Sequence, residues 1–411
     1  MLHCKDQLHQ IANKNIMIKI ALVTCYFQPN YGSQLQAYAT QMAFDKLGIK
    51  NETIMIDGLV PEINKAKYRY FLSRIFDINT IRDKWATVRK LIAQKRYPKY
   101  RENLATRNAM FKEFASSKFY LSKLYNSKNV LSLHANDYAA FIVGSDQLWL
   151  PSNISADYYT LNFVPDSIPK FSLATSFGVS ELPHKQAKLA SIFLRRLDYI
   201  SVRESSGQKL VKELSDRDVP VVCDPTLMFK AEDWEKISVK ERFYDSPYIF
   251  VYFLGNNPNH RVFVKAVQKL TGLKIVQLAH CDEYIKTDIG FADETPYNVG
   301  PCEFIQLIRD AEFVFTDSFH CSVFSLLFKK QFFSFRRYRG DGNVSTNGRI
   351  YSLLSLVKLE NRLLYGDENA EKALSIKINY DAVHEKIESL RNYSWNWLKD
   401  SLKGAGLYDK N

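Results

Sequence analysis

The chain has 411 residues and a formal net charge of +12. Hydrophobic residues make up 46% of the sequence and charged residues 24%, which is typical of a globular protein and excludes a disordered chain. This length exceeds what one hydrophobic core usually supports, so we predict two domains. The apolar stretch at residues 16–23 is too short to span a membrane and lacks a signal-peptide cleavage pattern, so we expect a cytoplasmic protein.

The six cysteines are scattered through the sequence, with no CxxC pair and no histidine at metal-ligand spacing. We therefore expect neither a disulfide framework, nor a metal site, nor a bound cofactor. The positive charge is concentrated between residues 61 and 101, where there are twelve basic and three acidic residues. This excess favours a polyanion, a membrane surface or an anionic substrate as partner, and we do not expect nucleic acid to be that partner.

Short β-rich apolar runs alternate with helical stretches, which predicts an α/β fold with parallel sheets and crossover helices. In the first half we predict strands at residues 18–24, 53–56, 139–143, 171–175 and 199–202. The helix predicted at residues 33–47 ends at Gly48, and Ser33 with Gln36 forms a capping box at its start. A basic helical insertion, at about residues 61–125, separates the second strand from the third.

The alternation weakens in a polar stretch near residue 240, so we place the domain boundary there. The predicted domains are residues 16–240 and residues 241–411. In the second domain we predict strands at residues 248–254, 274–278, 313–316 and 332–335, and helices at residues 261–270, 303–310 and 321–329. Two or three terminal helices complete this domain.

The most informative run joins a strand to a helix at residues 313–329. The strand ends at Thr316, either Asp317 or Ser318 can cap the helix, and His320 lies in its first turn. Free backbone N–H groups and the helix dipole favour a phosphate or carboxylate there, and ligands of open α/β sheets collect at this end of the strands. A histidine in a first turn is equally often a surface or capping residue, and both interpretations stay open.

Two more predicted strands end in polar residues. Arg203 stands at a strand end just before a helix, where a guanidinium suits either bidentate binding of an anion or an ion pair with Glu204. The run at residues 144–149 is a Gly-led polar turn that can bond and stack a sugar, with Asp146 as a candidate base. The alternative is a simple turn with an Asx hydrogen bond, in which Trp149 belongs to the core.

Two further loops are candidates for ligand binding. The first strand-to-helix loop can bring backbone N–H groups to a ligand, although it lacks the GxGxxG dinucleotide motif. Its candidate residues are Asn30, Tyr31, Gly32 and Ser33. The loop at residues 336–349 is rich in Arg and Gly and either closes over an anion or is an ordinary solvated loop. Its candidate residues are Asn347 and Arg349.

Taken together, these runs resemble the polysaccharide pyruvyl transferase family. In chain order the resemblance is carried by Asn30-Tyr31-Gly32-Ser33, Gly144-Ser145-Asp146-Gln147, Ser176-Phe177-Gly178, Ser201-Val202-Arg203-Glu204, Asp224-Pro225-Thr226 and Asp317-Ser318-Phe319-His320. Their order and spacing are specific and span nearly the whole chain. Cys321 departs from the pattern, because relatives usually carry glycine there. The resemblance implies two Rossmann-like domains in a glycosyltransferase-B-like arrangement.

The resemblance also implies a reaction, in which a pyruvyl group passes from phosphoenolpyruvate to two hydroxyls of one sugar. A cyclic ketal forms and phosphate is released. Arg203 and His320 would bind phosphoenolpyruvate, one from each domain, with His320 as acid and Asp146 as base. The expected acceptor is a saccharide, with galactose O4 and O6 as the hydroxyls, in capsular polysaccharide assembly. The other residues expected to bind substrate are Ser145, Gln147, Trp149, Ser176, Phe177, Asp317 and Ser318, with the loop residues given above.

If the acceptor is linked to an isoprenoid pyrophosphate, residues 61–101 would dock the enzyme at the inner face of the cell membrane. The alternative is a helix that packs its apolar stripe of Ile78, Ile81, Trp85, Val88 and Ile92 on the body of the protein.

Two other functions stay open. One is a nucleotide-sugar glycosyltransferase of the same architecture, for which the second domain shows no clear ribose-binding acidic motif. The other is a non-catalytic polyanion-binding protein, which would leave the paired ligand loops unexplained.

Overall fold

Two five-stranded parallel sheets, each with buried strands, organise the chain. The computed structural model describes residues 19–74, 78–280, 283–337 and 347–409, and it describes the backbone but not the side chains of residues 78–86 and 347. Within these residues no helix has both the length and the apolar character needed to cross a membrane.

The first sheet has the strand order β2-β1-β3-β4-β5. Its strands are β1 (Lys19–Val23), β2 (Lys50–Thr53), β3 (Ala140–Val143), β4 (Lys170–Thr175) and β5 (Tyr199–Val202). The inner strands β1, β3 and β4 are almost entirely buried because helices cover both faces, whereas the edge strand β2 is polar and partly exposed. These helices and the insertion are α1 (Tyr31–Leu47), α2 (Val60–Leu72), α3 (Ile78–Arg96), α4 (Pro98–Lys118), α5 (Lys128–Leu133), α6 (Pro151–Ala156), α7 (His184–Arg196), α8 (Ser205–Ser215) and α9 (Ala231–Glu235).

The second sheet repeats this topology with the order β7-β6-β8-β9-β10. Its strands are β6 (Tyr248–Tyr252), β7 (Lys274–Gln277), β8 (Phe313–Thr316), β9 (Gln331–Phe335) and β10 (Leu363–Leu364). Its helices are α10 (Pro258–Thr271), α11 (Pro301–Asp310), α12 (Phe319–Leu327), α13 (Asn347–Leu356), α14 (Ala370–Ser375) and α15 (Tyr380–Gly404). In this topology the strand order reverses between the first and third strands, so a ligand crevice opens at β1/β3 and at β6/β8.

The two sheets share one continuous apolar core. Tyr31 at the start of α1 stacks on Phe304 of α11, with 4.5 Å between ring centroids, and its hydroxyl donates to the carbonyl of Val299. Arg107 of α4 donates to the carbonyl of Ala279 at 2.7 Å. Both contacts are buried, so they fix the helices of the first sheet against the second.

Helix α15 also joins the two halves. The sequence places it in the second domain, but in the structure it packs on the segment that follows the first sheet. Arg391 donates to the carbonyl of Leu227 at 2.7 Å, and the indole of Trp395 donates to the carbonyl of Met228 at 2.9 Å. Because Trp395 is 8% exposed, the apolar face of the helix is covered there.

Most predicted elements are confirmed, and the strands at residues 199–202 and 313–316 match to the residue. The strand predicted at residues 53–56 is wrong in position, because the chain leaves the sheet at Thr53 and buries the next two isoleucines beyond it. The predicted Ser33 cap is also wrong. Asn30 caps α1 by accepting the backbone N–H of Ser33 at 3.1 Å. The short strand β10 was not predicted.

Candidate active site

Polar side chains from both sheets meet where the two crevices approach each other. Arg203 follows β5 and Asp146 follows β3, while His320 lies in the first turn of α12 beyond β8. The imidazole of His320 lies directly against Gly32 in α1, where an added Cβ would be 2.1 Å from His320 Nδ1. Glycine at position 32 therefore allows the histidine of the second half to reach the first.

Asp224 joins the two halves of this site. Residues 220–222 run alongside the end of β5, so Asp224 emerges next to Arg203. Its Oδ2 accepts a hydrogen bond from Arg203 Nη1 at 2.6 Å and lies 3.4 Å from His320 Nε2. Its Oδ1 accepts from the hydroxyl and the amide of Thr226. One buried carboxylate oxygen thus contacts a basic side chain of each half.

Each charged group around Asp224 shifts the pKa of its partner in the direction that favours the ionised form. Burial alone would raise the pKa of Asp224, but His320, Arg203 and the Thr226 hydroxyl hold it well below its usual value. Burial alone would lower the pKa of Arg203, but Asp224, Glu204 and Asp146 raise it. Asp224 and Arg203 therefore stay ionised although both are buried.

Asp146 provides a second carboxylate and has a strained backbone. Its φ of 77° is in the left-handed region, which residues other than glycine rarely adopt. Such backbone strain is common at functional sites. Its Oδ2 accepts the Ser33 hydroxyl at 2.6 Å, and its Oδ1 lies 3.8 Å from Arg203 Nη2 and 4.0 Å from Arg349 Nη1. Burial favours a higher pKa for Asp146, but Arg203, His320 and Arg349 lower it.

Arg203 is enclosed by groups from both sheets. Phe319 of α12 covers the guanidinium, with 4.6 Å from Cζ to the ring centroid. Glu204 Oε2 lies 3.8 Å from Arg203 Nε, and its Oε1 accepts the Ser176 hydroxyl at 2.7 Å. Burial raises the pKa of Glu204. Arg203 Nε and Nη2 are buried and make no hydrogen bond to any described residue, so they can donate to the oxygens of a bound anion.

Asp317 and Ser318, the two residues that precede α12, have separate roles. Ser318 is the N-cap of α12 and accepts the backbone N–H of Cys321. Asp317 instead accepts the backbone N–H groups of Leu254 and Gly255, at 2.6 and 2.8 Å. Asp317 therefore closes the base of the β6/β8 crevice and leaves the first turn of α12 facing the site.

Arg349 adds another cation at the start of α13. Burial lowers its pKa to about 10, and Arg203 contributes to the same effect. Its Cζ lies 6.0 Å from the ring of Phe319. The side chain of the other predicted loop residue, Asn347, lies outside the described residues. Arg349, Arg203 and His320 thus surround Asp146.

Three of the predicted substrate-binding residues are packed between helices and strands. Trp149 is fully buried, lies 5.0 Å from the ring of Phe177, and donates its indole N–H to the carbonyl of Tyr159. Trp149 has no open face on which a sugar could stack, which matches the core role that the sequence left open. Phe177 is fully buried, and Tyr31 fills the interface between the sheets.

The remaining predicted residues line the same buried network. Ser145 Oγ is 2.9 Å from Asp224 Oδ2, and the side-chain nitrogen of Gln147 is buried with no hydrogen bond to a described residue. Sequence reasoning missed the bridging role of Asp224, although the Asp-Pro-Thr run after a buried segment was visible. It also missed the role of Phe319 in covering the Arg203 guanidinium.

Among the described residues, no group of three or more His, Cys, Asp or Glu side chains is arranged to hold a metal ion.

Comparison with known families agrees with this geometry. A model of the polysaccharide pyruvyl transferase family matches residues 30–337, most of the chain. The chain belongs to this family. The match begins at Asn30 and ends at Arg337, so it includes strands β2 to β9 and both Arg203 and His320. None of the curated proteins matches this sequence.

Solved structures are similar to the chain in fold. A UDP-N-acetylglucosamine 2-epimerase has 8% identity and a TM-score of 0.54, over 96% of this chain and 97% of its own. A protein from Listeria monocytogenes, described as the same type of epimerase, has 9% identity and a TM-score of 0.50, over 96% and 98%. These identities show the fold alone, which is two parallel-sheet α/β domains in a glycosyltransferase-B-like arrangement.

Cys321 is the departure from the family pattern that the sequence indicated. It is fully buried in the first turn of α12, and burial raises the pKa of its thiol to about 12. Its thiol is therefore protonated at neutral pH and is a poor nucleophile.

We expect Asp224→Asn to lower the free energy of unfolding at neutral pH by about 3–5 kcal/mol, because it leaves Arg203 and His320 without their shared counter-ion. The depressed pKa of Asp224 means that its stabilisation is complete above the unfolded-state pKa of about 3.9 and is lost as the pH falls through and below it. Urea unfolding at about pH 7, 5 and 3 should show a gap from the wild type that shrinks only at the lowest pH.

The matched control is Asp245→Asn, which removes an exposed carboxylate and should change stability little at any of these pH values. A gap for Asp224→Asn that does not depend on pH would contradict the ionised bridge.

A second prediction concerns the contact between Gly32 and His320. Gly→Ala inside a helix normally stabilises by roughly 0.5–1 kcal/mol. Here the new Cβ would overlap the imidazole, so we expect Gly32→Ala to destabilise the wild type but to be neutral or stabilising in the His320→Ala background. Thermal unfolding of the four proteins of this cycle measures the coupling.

Gly348→Ala is the control for that cycle, because a Cβ at Gly348 would meet no atom within 4 Å. The same effect of Gly32→Ala in both backgrounds would disprove the close contact.

Proposed function

We propose that this family member transfers a pyruvyl group from phosphoenolpyruvate to two hydroxyls of one saccharide unit, forming a cyclic ketal and releasing phosphate. The observation that carries the proposal is the pair of Arg203 and His320, one from each half, joined through a single oxygen of Asp224. Membership of the polysaccharide pyruvyl transferase family supports the transfer of pyruvyl groups to polysaccharide.

The donor would bind as an anion between the two halves. Arg203 presents Nε and Nη2, which make no hydrogen bond to any described residue, and a guanidinium is suited to a carboxylate or a phosphate. Arg349 lies on the other side of Asp146, and the first turn of α12 points its free N–H groups at the same space. Phosphoenolpyruvate has one carboxylate and one phosphate, so two cationic centres match its two ends.

His320 is the proposed acid of the first step. Its protonated ring gives a proton to the terminal carbon of the enol, which becomes a methyl group, and the adjacent carbon becomes an oxocarbenium ion. Asp224, 3.4 Å from Nε2, orients the ring and stabilises the imidazolium before the transfer. The first sugar hydroxyl then attacks the cationic carbon and loses its proton, which restores the proton of His320.

The second step replaces phosphate by the other hydroxyl. The bond between the ketal carbon and the phosphate oxygen breaks with its electron pair, and phosphate leaves. Loss of phosphate leaves a second oxocarbenium ion, and the other hydroxyl attacks this carbon, closes the ring and gives up its proton. We assign Asp146 as the group that accepts this proton, with Ser33 holding the carboxylate at 2.6 Å.

Two other functions fit parts of the molecule less well. A nucleotide-sugar glycosyltransferase would share the fold, and the structurally similar epimerase is named for a nucleotide sugar, but an Asp224 bridge between Arg203 and His320 has no evident use in that reaction. The basic surface at residues 61–101 would suffice for a polyanion-binding protein, but that function would leave the buried pair of Arg203 and His320 without a role.

The setting that we propose is capsular polysaccharide assembly in the cytoplasm, on a lipid-linked acceptor whose galactose carries the free O4 and O6. The outer face of α3 supports contact with an anionic membrane. Val88 is 42% and Leu91 is 55% exposed, and the exposed Lys95 continues the same face one turn further. Such a face fits a basic amphipathic helix that lies on a lipid surface. The side chains of Ile78, Ile81 and Trp85 lie outside the described residues.

We expect His320→Ala to reduce phosphate release from phosphoenolpyruvate, in the presence of a galactoside acceptor, by on the order of 10²–10⁴-fold, because the proton donor is lost. Arg203→Lys keeps the charge but loses the forked geometry, so we expect weaker phosphoenolpyruvate binding with the fold retained. A phosphate assay combined with the mass gain of the acceptor measures transfer, and thermal shift with phosphoenolpyruvate measures binding.

His184→Ala is the control for the acid, since His184 is exposed at the start of α7 and should leave transfer unchanged. Near-normal turnover in His320→Ala would exclude His320 as the acid.

We expect the wild type to sediment with vesicles that contain anionic phosphatidylglycerol and to stay in solution with neutral phosphatidylcholine vesicles. The double variant Val88→Ser/Leu91→Ser should lose this binding, because the apolar contact of α3 is removed. Leu133→Ser is the control, because Leu133 is 82% exposed on α5, outside the basic insertion. Equal sedimentation with neutral vesicles, or none with either, would reject the membrane contact.

A further inference from the structure

A cleft of about 550 Å³ lies beside the candidate active site. Its walls are the C-terminal turns of α3, Tyr97 between α3 and α4, and the segment at residues 283–287, with Asn256 at one side. The volume falls in the range of small-molecule sites. None of the residues to which the proposed reaction gives a role lines this cleft, so its use is open.

The position of the cleft follows from the order of the strands. Asn256 comes directly after Gly255, whose N–H donates to Asp317 at the base of the β6/β8 crevice. Residues 283–287 follow β7, and the order β7-β6-β8 places β7 on the other side of β6. The cleft and the crevice of His320 are therefore neighbours along the carboxyl edge of one sheet.

The charges in the cleft favour an anion. Arg89 is held by Glu283, with 2.6 Å between Nη2 and Oε1. Arg96 and Lys286 also line the cleft, and within the described part of the chain neither has an ion-pair partner. Three cations thus face one carboxylate, and two of the cations are available to a ligand.

The cleft also contains an aromatic platform. Tyr97 and Tyr284 stack with 5.5 Å between ring centroids and 20° between planes, and Tyr100 packs its edge on Tyr284 at 5.1 Å. Tyr97 remains 41% exposed although it is part of a stack. An aromatic face next to a cation offers an apolar surface for a sugar ring and a charge for its acidic substituent.

We propose that this cleft binds a saccharide unit that carries a carboxylate or phosphate group, adjacent to the unit that receives the pyruvyl group. The inference rests on the proposed function, since it supplies a second subsite for the acceptor of that reaction. The cations select the acidic substituent, the tyrosine platform holds the ring, and the short path past Asn256 leads the next unit to His320.

Binding without turnover tests this subsite separately from the chemistry. The probes are a uronate-bearing hyaluronan tetrasaccharide, neutral maltotetraose, UDP and inorganic phosphate, each titrated by calorimetry against the full chain. We expect the uronate probe to bind more tightly than the neutral one. Arg96→Gln and Tyr284→Ala should each weaken the uronate probe by about tenfold, while Arg101→Gln, which removes an exposed charge outside the cleft, should not.

The outcomes separate the two proposals. If the uronate probe binds through Arg96 and Tyr284 but phosphoenolpyruvate gives no phosphate release with any acceptor, the subsite stands and the proposed reaction fails. If phosphate release proceeds and Arg96→Gln alters neither probe binding nor the acceptor KM, the subsite fails and the reaction stands. Binding of UDP or inorganic phosphate at this cleft in preference to the uronate probe would overturn the saccharide assignment.

Discussion

The site depends on one buried carboxylate that is contacted by basic side chains from the two halves of the molecule. Asp224 is 1% exposed, and removing such a charge from water is costly unless partners compensate it at close range. Arg203 compensates it from the first half and His320 faces it from the second. The bridge is therefore satisfied only when the halves are correctly docked, so the geometry of the site and the packing between the sheets depend on each other.

The repeated topology explains why these groups can meet. Each sheet has its crevice between its first and third strands, and each crevice receives side chains from the loops that follow those strands. Glycine at position 32 removes the one Cβ that would separate the helix of the first crevice from His320. Tyr31, the residue before Gly32, stacks on Phe304. This apolar contact holds α1 close to the second half of the molecule. Tyr31 thus helps to position the two halves against each other.

Much of the fold was predictable because parallel strands buried on both faces give short, continuous apolar runs. The predicted ends of strands and helices were wrong where tertiary contacts determine them. The apolar residues after Thr53 extend past the strand, and Ser33 bonds Asp146 instead of capping its helix. The residue pattern indicated Arg203 and His320 separately, since each follows a strand, and the family resemblance paired them. It could not indicate Asp224 as their link, because that contact joins residues 21 and 96 positions apart in the numbering and depends on how the sheets dock.

Trp149 illustrates how a buried residue contributes to a site that it does not touch. A non-glycine residue in the left-handed region costs roughly 1–2 kcal/mol, so the turn at Asp146 needs neighbours that hold it. The backbone of Asp146 accepts the N–H of Ser176, and that of Trp149 donates to the carbonyl of Ser176. These backbone hydrogen bonds anchor the strained turn to Ser176, the residue that directly follows β4. Trp149, for which the sequence left open either sugar stacking or a place in the core, is fully buried beside this turn.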